Sequence, residues 1–328
     1  MNDKLKRILK IVGIVLASLV LLFGLLLLGF FSVDRIAHAS FYKNAQKKFS
    51  IPGTNSGFVG QGLDYLEEEE AFLTCGYSAK KGEASMVYYI GKDGKAKLTL
   101  LKKKDGSNYT GHTGGIAHYK EYIYITGGDG CDVFLLSDVL EGKGESRMLG
   151  TVKAPIDPAY CNVHGGKFYV GSFYRAGNYE TDAWQRMTTP AGDENKATII
   201  SYDIDDAATD NFYISSTPTA VYSTTGLVQG LEFVGDQMVL STSYGLATSV
   251  LKFYDTKRFV AGNMDLNGTD VPLYYLDSAS LVKEVKAPPM SEEIVYRDGL
   301  LYIMTESASN KYIFGKFTGA TKLYAYKV

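Results

Sequence analysis

The stretch from Val228 to Gly245, VQGLEFVGDQMVLSTSYG, constrains the fold most, because four other segments repeat its grammar. A Gly opens it, a short apolar alternation leads to a tight Gly-Asp turn, and a second apolar run ends in small hydroxyl residues. That is a β-hairpin pattern. The copies are GQGLDYLEEEEAFLTCGY from Gly60, TGGIAHYKEYIYITGGDG from Thr113, AYCNVHGGKFYVGSFY from Ala159 and SEEIVYRDGLLYIMTES from Ser291. Hairpins at intervals of roughly fifty residues, each followed by more strand-like sequence, mean repetition of one supersecondary unit.

The first repeat continues through SMVYYIG and KAKLTLL, the second through DVFLLSDV and ESRMLGTV, the third through TIISYDI and TAVYST, and the fourth through VLKFYD and LVKEVKAP. Runs this short, rich in Tyr, Val and Ile, exclude long helices. Four antiparallel strands repeated around a circle form a β-propeller blade. The expected fold is therefore all-β, a propeller of five four-stranded blades, with six blades as the alternative if residues 203–225 and 255–285 conceal another. The fifth repeat offers only EEIVY, LLYIMTE and KLYAYKV. A strand around Phe49–Ile51 is expected to complete it beside Lys322–Val328. No linker composition follows residue 56, so residues 49–328 read as one closed domain.

Ahead of the repeats, residues 11–33 are 23 residues without a charge, enough for a helix to cross a bilayer. Residues 1–10 form a basic tail, and residues 34–48 read as a stalk. The first 39 residues carry a net charge of +3 and the remainder −5. The positive-inside rule then places the tail in the cytoplasm and the propeller outside, as a single-pass membrane protein. The alternative is a cleaved signal peptide ending at Ala37-His38-Ala39, giving a secreted propeller. An overall charge of −2 gives no footprint for nucleic acid. Cys75, Cys131 and Cys161 lack metal-type spacing and read as buried thiols, with one Cys131–Cys161 bridge or a reactive thiol as the alternatives.

In a propeller, residues just before each first strand and just after each second strand meet at one mouth of the channel. On the first side these are Gln61, His112, Tyr160, Gln229 and the pair Glu292 and Glu293. On the second they are Tyr77, Asp129, Tyr174, Tyr244 and Glu306. Two long loops open there as well, residues 174–196 with Trp184, the only Trp, and residues 307–319. Convergent polar and aromatic groups in a concavity make a ligand site. Gln61, Tyr77, His112, Asp129, Tyr160, Tyr174, Trp184, Gln229, Tyr244 and Glu306 are its expected ligand-binding residues.

No G-x-S-x-G, H-E-x-x-H or P-loop motif occurs. The acid–base candidates are His112, Glu292, Glu293 and Glu306, with only one of the adjacent pair Glu292 and Glu293 able to face the channel. His118 and His164 occupy matching places in the second and third first strands. No cofactor is identified, although Glu292, Glu293, Glu306 and Asp129 are of the hard-oxygen type that calcium takes. The run Glu67–Glu70 reads as a solvated turn.

With GQGLDY, TGGIAHY, VQGLEF and PPMSEEIVYRDGLLYIMTES in hand, residues 57–328 resemble bacterial extracytoplasmic β-propellers, broadly those similar to strictosidine synthase, the calcium-dependent lactonases and the YVTN-type propellers. The lactonase-like members imply a calcium held by Glu, Asn and Asp in the channel, and Gln61 stands where the first blade would supply an acid. The function expected is binding of an extracellular carbohydrate, peptide or protein at the mouth. The alternative is a hydrolase or lyase working there with Glu or His groups, with calcium as its metal.

Overall fold

A computed structural model describes every residue except Met1, Asn267 and Gly319. Gly319, the end of the expected fifth-blade loop, therefore lies outside the described residues. The chain forms five β-sheets around a channel, each beginning with an inner strand: Phe58–Leu66, Ile116–Tyr119, Pro158–His164, Val228–Val234 and Ser291–Arg297. This is a five-bladed β-propeller.

Five apolar clusters hold the ring, one between each pair of neighbouring blades. Alternating side chains bury both faces of the middle strands, as a sheet packed on both sides requires. Between blades 5 and 1, Val295, Met304 and Leu323 meet Phe58, Leu63 and Phe72, so the seam that joins the chain's two ends is as apolar as the others.

The insertions conceal no sixth blade. The hairpin Val260–Leu266 and Thr269–Tyr275 instead adds to blade 3, where Val221–Ser223 pairs in parallel with Leu273–Tyr275 and widens the sheet to six strands. The expected strand ESRMLGTV splits in the same way. Glu145–Arg147 pairs with the outer strand of blade 1, and Gly150–Lys153 completes blade 2. Leu136–Glu141, just before it, forms a short helix ended by left-handed Gly142.

The ring closes through its N-terminal segment, beginning upstream of Phe49–Ile51. Ala45, Gln46 and Lys47 pair antiparallel with Tyr326, Ala325 and Tyr324, and the contact continues from Lys48 N–H to the Leu323 carbonyl. The pairing reaches Phe49, whose carbonyl accepts from Leu323 N–H at 3.1 Å, while the Phe49 and Ile51 side chains pack into the seam between blades 5 and 1. Their alternation suits burial under a blade edge better than an exposed outer strand.

Asp3–Ala37 is one 35-residue helix, started by the Asn2 side chain, and is long and apolar enough to span a membrane. It nearly continues into Ala39–Asn44, whose Phe41 is buried against Tyr324 and stacks on Tyr326 at 5.5 Å. A latch fixes the junction. His38 Nδ1 lies 3.1 Å from Asp34 Oδ1, Tyr42 donates to Asp34 Oδ2 at 3.0 Å, and His38 Nε2 meets Thr248 Oγ1 of blade 4 at 3.2 Å.

Removal of residues 1–48 deletes the closing strand and Phe41, whereas removal of residues 1–39 spares both. The first truncation should be less stable than the second by about 3–5 kcal/mol, roughly 6–15 °C in Tm. Calorimetry of the two truncations checks this, and equal melting temperatures would contradict closure by this strand.

Candidate functional site

Four inner strands carry a β-bulge at their mouth ends, at Gln61, at Ala159, at Gln229 and across Glu292–Glu293. A bulge inserts one residue and shifts the side chains beyond it. The residues equivalent to Gln61 in blades 2, 3 and 4 are thus Gly114, Ala159 and Gln229, and all four line a cavity of about 870 Å³ at the mouth.

One step deeper, the corresponding positions are Gly62, Gly115, Tyr160, Gly230 and Glu293. A Cβ on Gly62 would stand 2.8 Å from Ile116 N, and one on Gly230 2.6 Å from Glu293 Cα, so this layer is too narrow for side chains at those places. Glu293 fills the space. Its Oε2 accepts from Leu63 N–H of blade 1 at 2.7 Å and Ile116 N–H of blade 2 at 3.0 Å, and its Oε1 faces Cys161 N–H of blade 3 at 3.4 Å. Burial pushes its pKa well above the usual carboxyl value, against these three N–H groups, which favour the charged form. Glu293 is a bridge between the inner strands, and neither it nor its buried neighbour Glu292 lines the cavity.

On the blade 5 side of the cavity a connected polar group stands against the wall. Gln61 Nε2 donates to Glu306 Oε2 at 3.0 Å. The Tyr77 and Tyr312 hydroxyls are 3.1 Å apart, and Lys311 Nζ donates to the Tyr77 hydroxyl at 2.6 Å. His112 stacks on Tyr77 with ring centroids 4.8 Å apart. Loss of hydration against the wall and then the Lys311 charge, both disfavouring the imidazolium, hold the His112 pKa below the ordinary imidazole value. Burial raises the Glu306 pKa to about 7, although Gln61, Tyr312 and Lys311 each favour its ionised form. Glu292, fully buried beside it, is raised well above the usual range by burial first and then by the charges of Glu306 and Glu293. Its Oε1 has no hydrogen-bond partner among the described residues.

The other expected residues divide. Gln61, His112, Gln229, Tyr244 and Glu306 line the cavity, while Tyr77 stands behind His112 and Lys311. Tyr160 lies instead in the apolar core between blades 3 and 4, one bulge-shifted position too deep. Trp184 packs against the blade 2–3 core, Tyr174 lies under the Arg186 guanidinium, and Asp129 is an exposed partner of Lys153. From the Trp184 loop it is Tyr179, Glu180, Asp182 and Gln185 that reach the cavity. Lys311 and Tyr312 were within the loop 307–319 but carried no motif to single them out.

Among the described residues, no group of three or more His, Cys, Asp or Glu side chains is placed to hold a metal ion. His118 and His164 are one register apart rather than matched, since His118 pairs with Ile123 and His164 with the turn-flanking Lys167. His118 Nδ1 joins Asp64 at 2.6 Å, and His164 stacks on Phe233 at 4.4 Å. The three cysteines are buried and unbridged. Glu67–Glu70 is a surface turn, with Glu67 paired to Arg297 and Glu70 to Lys92.

No protein-family model and no curated protein matches the chain. Among solved structures it is similar to a glutaminyl cyclase of Myxococcus xanthus, at 11% identity over 86% of this chain and 94% of that one, with a TM-score of 0.42. It is also similar to a structure of a nidogen/laminin complex, at 12% identity over 76% and 73%, TM-score 0.41. A third likeness is to the GH43B protein of a Bacteroides ovatus xyloglucan PUL, at 11% identity over 78% of this chain and 49% of that one, TM-score 0.42. The fold and its blade count rest on the sheets described above.

The raised carboxyls set a pH dependence. A folded-state pKa near 7 against an ordinary 4.5, as for Glu306 and for the buried Glu232, means that the folded chain holds its proton more tightly. The resulting stability is full below pH 4.5 and is lost as the pH rises through 7. Depressed pKa values at His112 and His164 oppose this as the pH falls below about 6.5. Tm should therefore rise when the pH falls from 8 to about 6, and less so in Glu306→Gln. A wild-type Tm that falls over that interval would contradict the burial of protonated carboxyls.

Proposed function

We propose that this chain is a membrane-anchored propeller, with its N-terminus in the cytoplasm and the propeller on the extracytoplasmic side, that binds a ligand in the mouth cavity. The cavity carries the reading. Its volume of about 870 Å³ suits a ligand of oligosaccharide or short-peptide size, and one wall gathers Gln61, Glu306, Lys311 and Tyr312 for polar recognition. Aromatic contact is supplied opposite by Phe173, Tyr179 and Tyr244, which pack in sequence, with Arg175 over Tyr244 at 3.9 Å.

A retained anchor is supported by the latch. Asp34 and His38 are buried against the propeller, at 7% and 4% exposure, and cleavage after Ala39 would remove both. The chain isolated from membranes should have the intact mass, and protease added outside intact cells should digest it past Asp34. A mature N-terminus at Ser40 would reject the anchor.

One observation favours a second, catalytic reading. Burial raises the Glu306 pKa to about 7, and the neighbouring Glu292 is raised by its burial and by the Glu306 charge, so that one carboxyl is held protonated as an acid while the other serves as a base. The experiment that separates the readings combines a thermal-shift panel of disaccharides and tripeptides with product analysis, on wild type and Glu306→Gln. If the site only binds, the panel member that raises the wild-type Tm is recovered unchanged, and Glu306→Gln weakens its shift. If the site is catalytic, the ligand is converted by wild type, and Glu306→Gln still binds it but loses about 10²–10⁴-fold in rate. A panel that moves neither protein, with only the bare chain mass in native mass spectrometry after isolation from membranes, would remove both readings.

A further inference from the structure

Outside the N-terminal helix, the exposed apolar surface is concentrated at one place. Among the described residues, half of the propeller's exposed large apolar side chains border the cavity mouth: Tyr179, Tyr244, Leu246, Ile313 and Phe314. Ile313 and Phe314 are 61% and 63% exposed. A cluster of such side chains on one face marks an interaction surface rather than the ordinary scatter of apolar groups.

The loops that carry this cluster also hold the helix. Residues 243–248 bear Tyr244 and Leu246 and end at Thr248, the partner of His38. The helix also lies against Gly315–Phe317, directly after Ile313 and Phe314. Its direction follows from the chain. Leu300–Thr305 runs towards the mouth and Tyr324–Lys327 runs away from it, so Lys47, opposite Tyr324, marks the mouth end of the closing strand. The short helix Ala39–Asn44 thus leads away from the mouth before the strand returns, and the long helix before it projects beyond the mouth face.

The uncharged stretch ends at Val33, one residue before the buried Asp34. At 1.5 Å per residue, Val33 lies about 7–8 Å from His38, so the hydrocarbon boundary comes within about two helical turns of the mouth loops. Arg35, over Phe31 at 5.4 Å and over Tyr42 at 3.8 Å, adds the cation and aromatic rings that suit a headgroup layer.

We infer that the mouth face rests on the bilayer from which the helix emerges, with Leu246, Ile313 and Phe314 seated at the boundary between headgroups and acyl chains. The partner of this surface is the lipid itself. The opposite face, with the Glu67–Glu70 turn, points into water. A ligand then reaches the cavity along the membrane surface, and an amphiphile with a polar head for Glu306 and Lys311 and an apolar part for the lip matches both ends.

The inference rests on the retained anchor, and the test keeps the two apart. The full chain, its intact mass verified, is reconstituted in phosphatidylcholine vesicles with a fluorophore on Phe314→Cys, or in a parallel sample on the exposed far-face position Glu68→Cys. Unsubstituted protein, with its three buried thiols, is the labelling blank. The Phe314 label should be quenched severalfold more by nitroxide-bearing lipid than by iodide, and the Glu68 label by iodide alone. Leu246→Cys should repeat the Phe314 result, which guards against a local fault in one variant. Iodide quenching at Phe314 and Leu246 as strong as at Glu68, without quenching by nitroxide lipid, would overturn the inference. A shortened mass before reconstitution would instead reject the anchor.

Discussion

The Glu293 carboxyl, reaching across the channel, is the contact on which the ring depends. It comes from blade 5 and receives backbone N–H groups from blades 1, 2 and 3, while Gly230 of blade 4 packs directly against its Cα. Five blades meet at one residue. The arrangement works because Gly62, Gly115 and Gly230 leave the layer empty and because the bulges turn successive N–H groups inward. Without the carboxyl, the Leu63 and Ile116 N–H groups would lose their buried acceptor, at about 1–3 kcal/mol each.

Polar ties repeat this logic two residues further along the inner strands. Asp64 of blade 1 holds His118 of blade 2, Asn162 of blade 3 donates to the Leu231 carbonyl of blade 4, and Glu232 of blade 4 accepts from Tyr296 N–H of blade 5. The apolar clusters between blades supply most of the burial, but they are non-directional. The axial hydrogen bonds specify which strand faces which. Glu293 ties the inner strands below the mouth cavity, and burial raises the pKa values of Glu292 and Glu306 beside it.

Much of the architecture was legible in the sequence because hairpins repeat and turn residues are strong local signals. The blade count, the N-terminal helix and the need for a closing strand all follow from period and length. What was not legible depends on single-residue shifts. A bulge cannot be read from alternation, so the sequence pattern points Tyr160 at the mouth although it occupies the core, and aligns His118 with His164 one position out of register. Trp184 shows another limit. A lone aromatic in a polar loop reads as a ligand platform, yet the loop folds back and spends that ring on the core, leaving Tyr179 and Gln185 at the cavity. Strands exchanged between blades, at Glu145–Arg147 and Val260–Tyr275, were equally invisible because parallel edge pairing leaves no local pattern. Glu293 itself looked like one of two interchangeable acids; only the empty glycine positions around it separate the bridge from Glu292.

Ring closure and the setting of the N-terminal helix are one event in this chain. The helix ends at the Asp34–His38–Thr248 latch, Phe41 is buried six residues later than Arg35, and the closing strand begins at Ala45, with no slack between them. A flexible linker would let the propeller tumble about its helix, since free chain costs little to reorient. Here the short helix Ala39–Asn44 is packed on Tyr324 and Tyr326, and the next residues complete the sheet that those tyrosines belong to. Tilting the helix away from the mouth loops would therefore pull on the outer strand of blade 5, and opening that strand would free the helix. The direction in which the cavity faces is thus fixed by the same hydrogen bonds that keep the propeller closed.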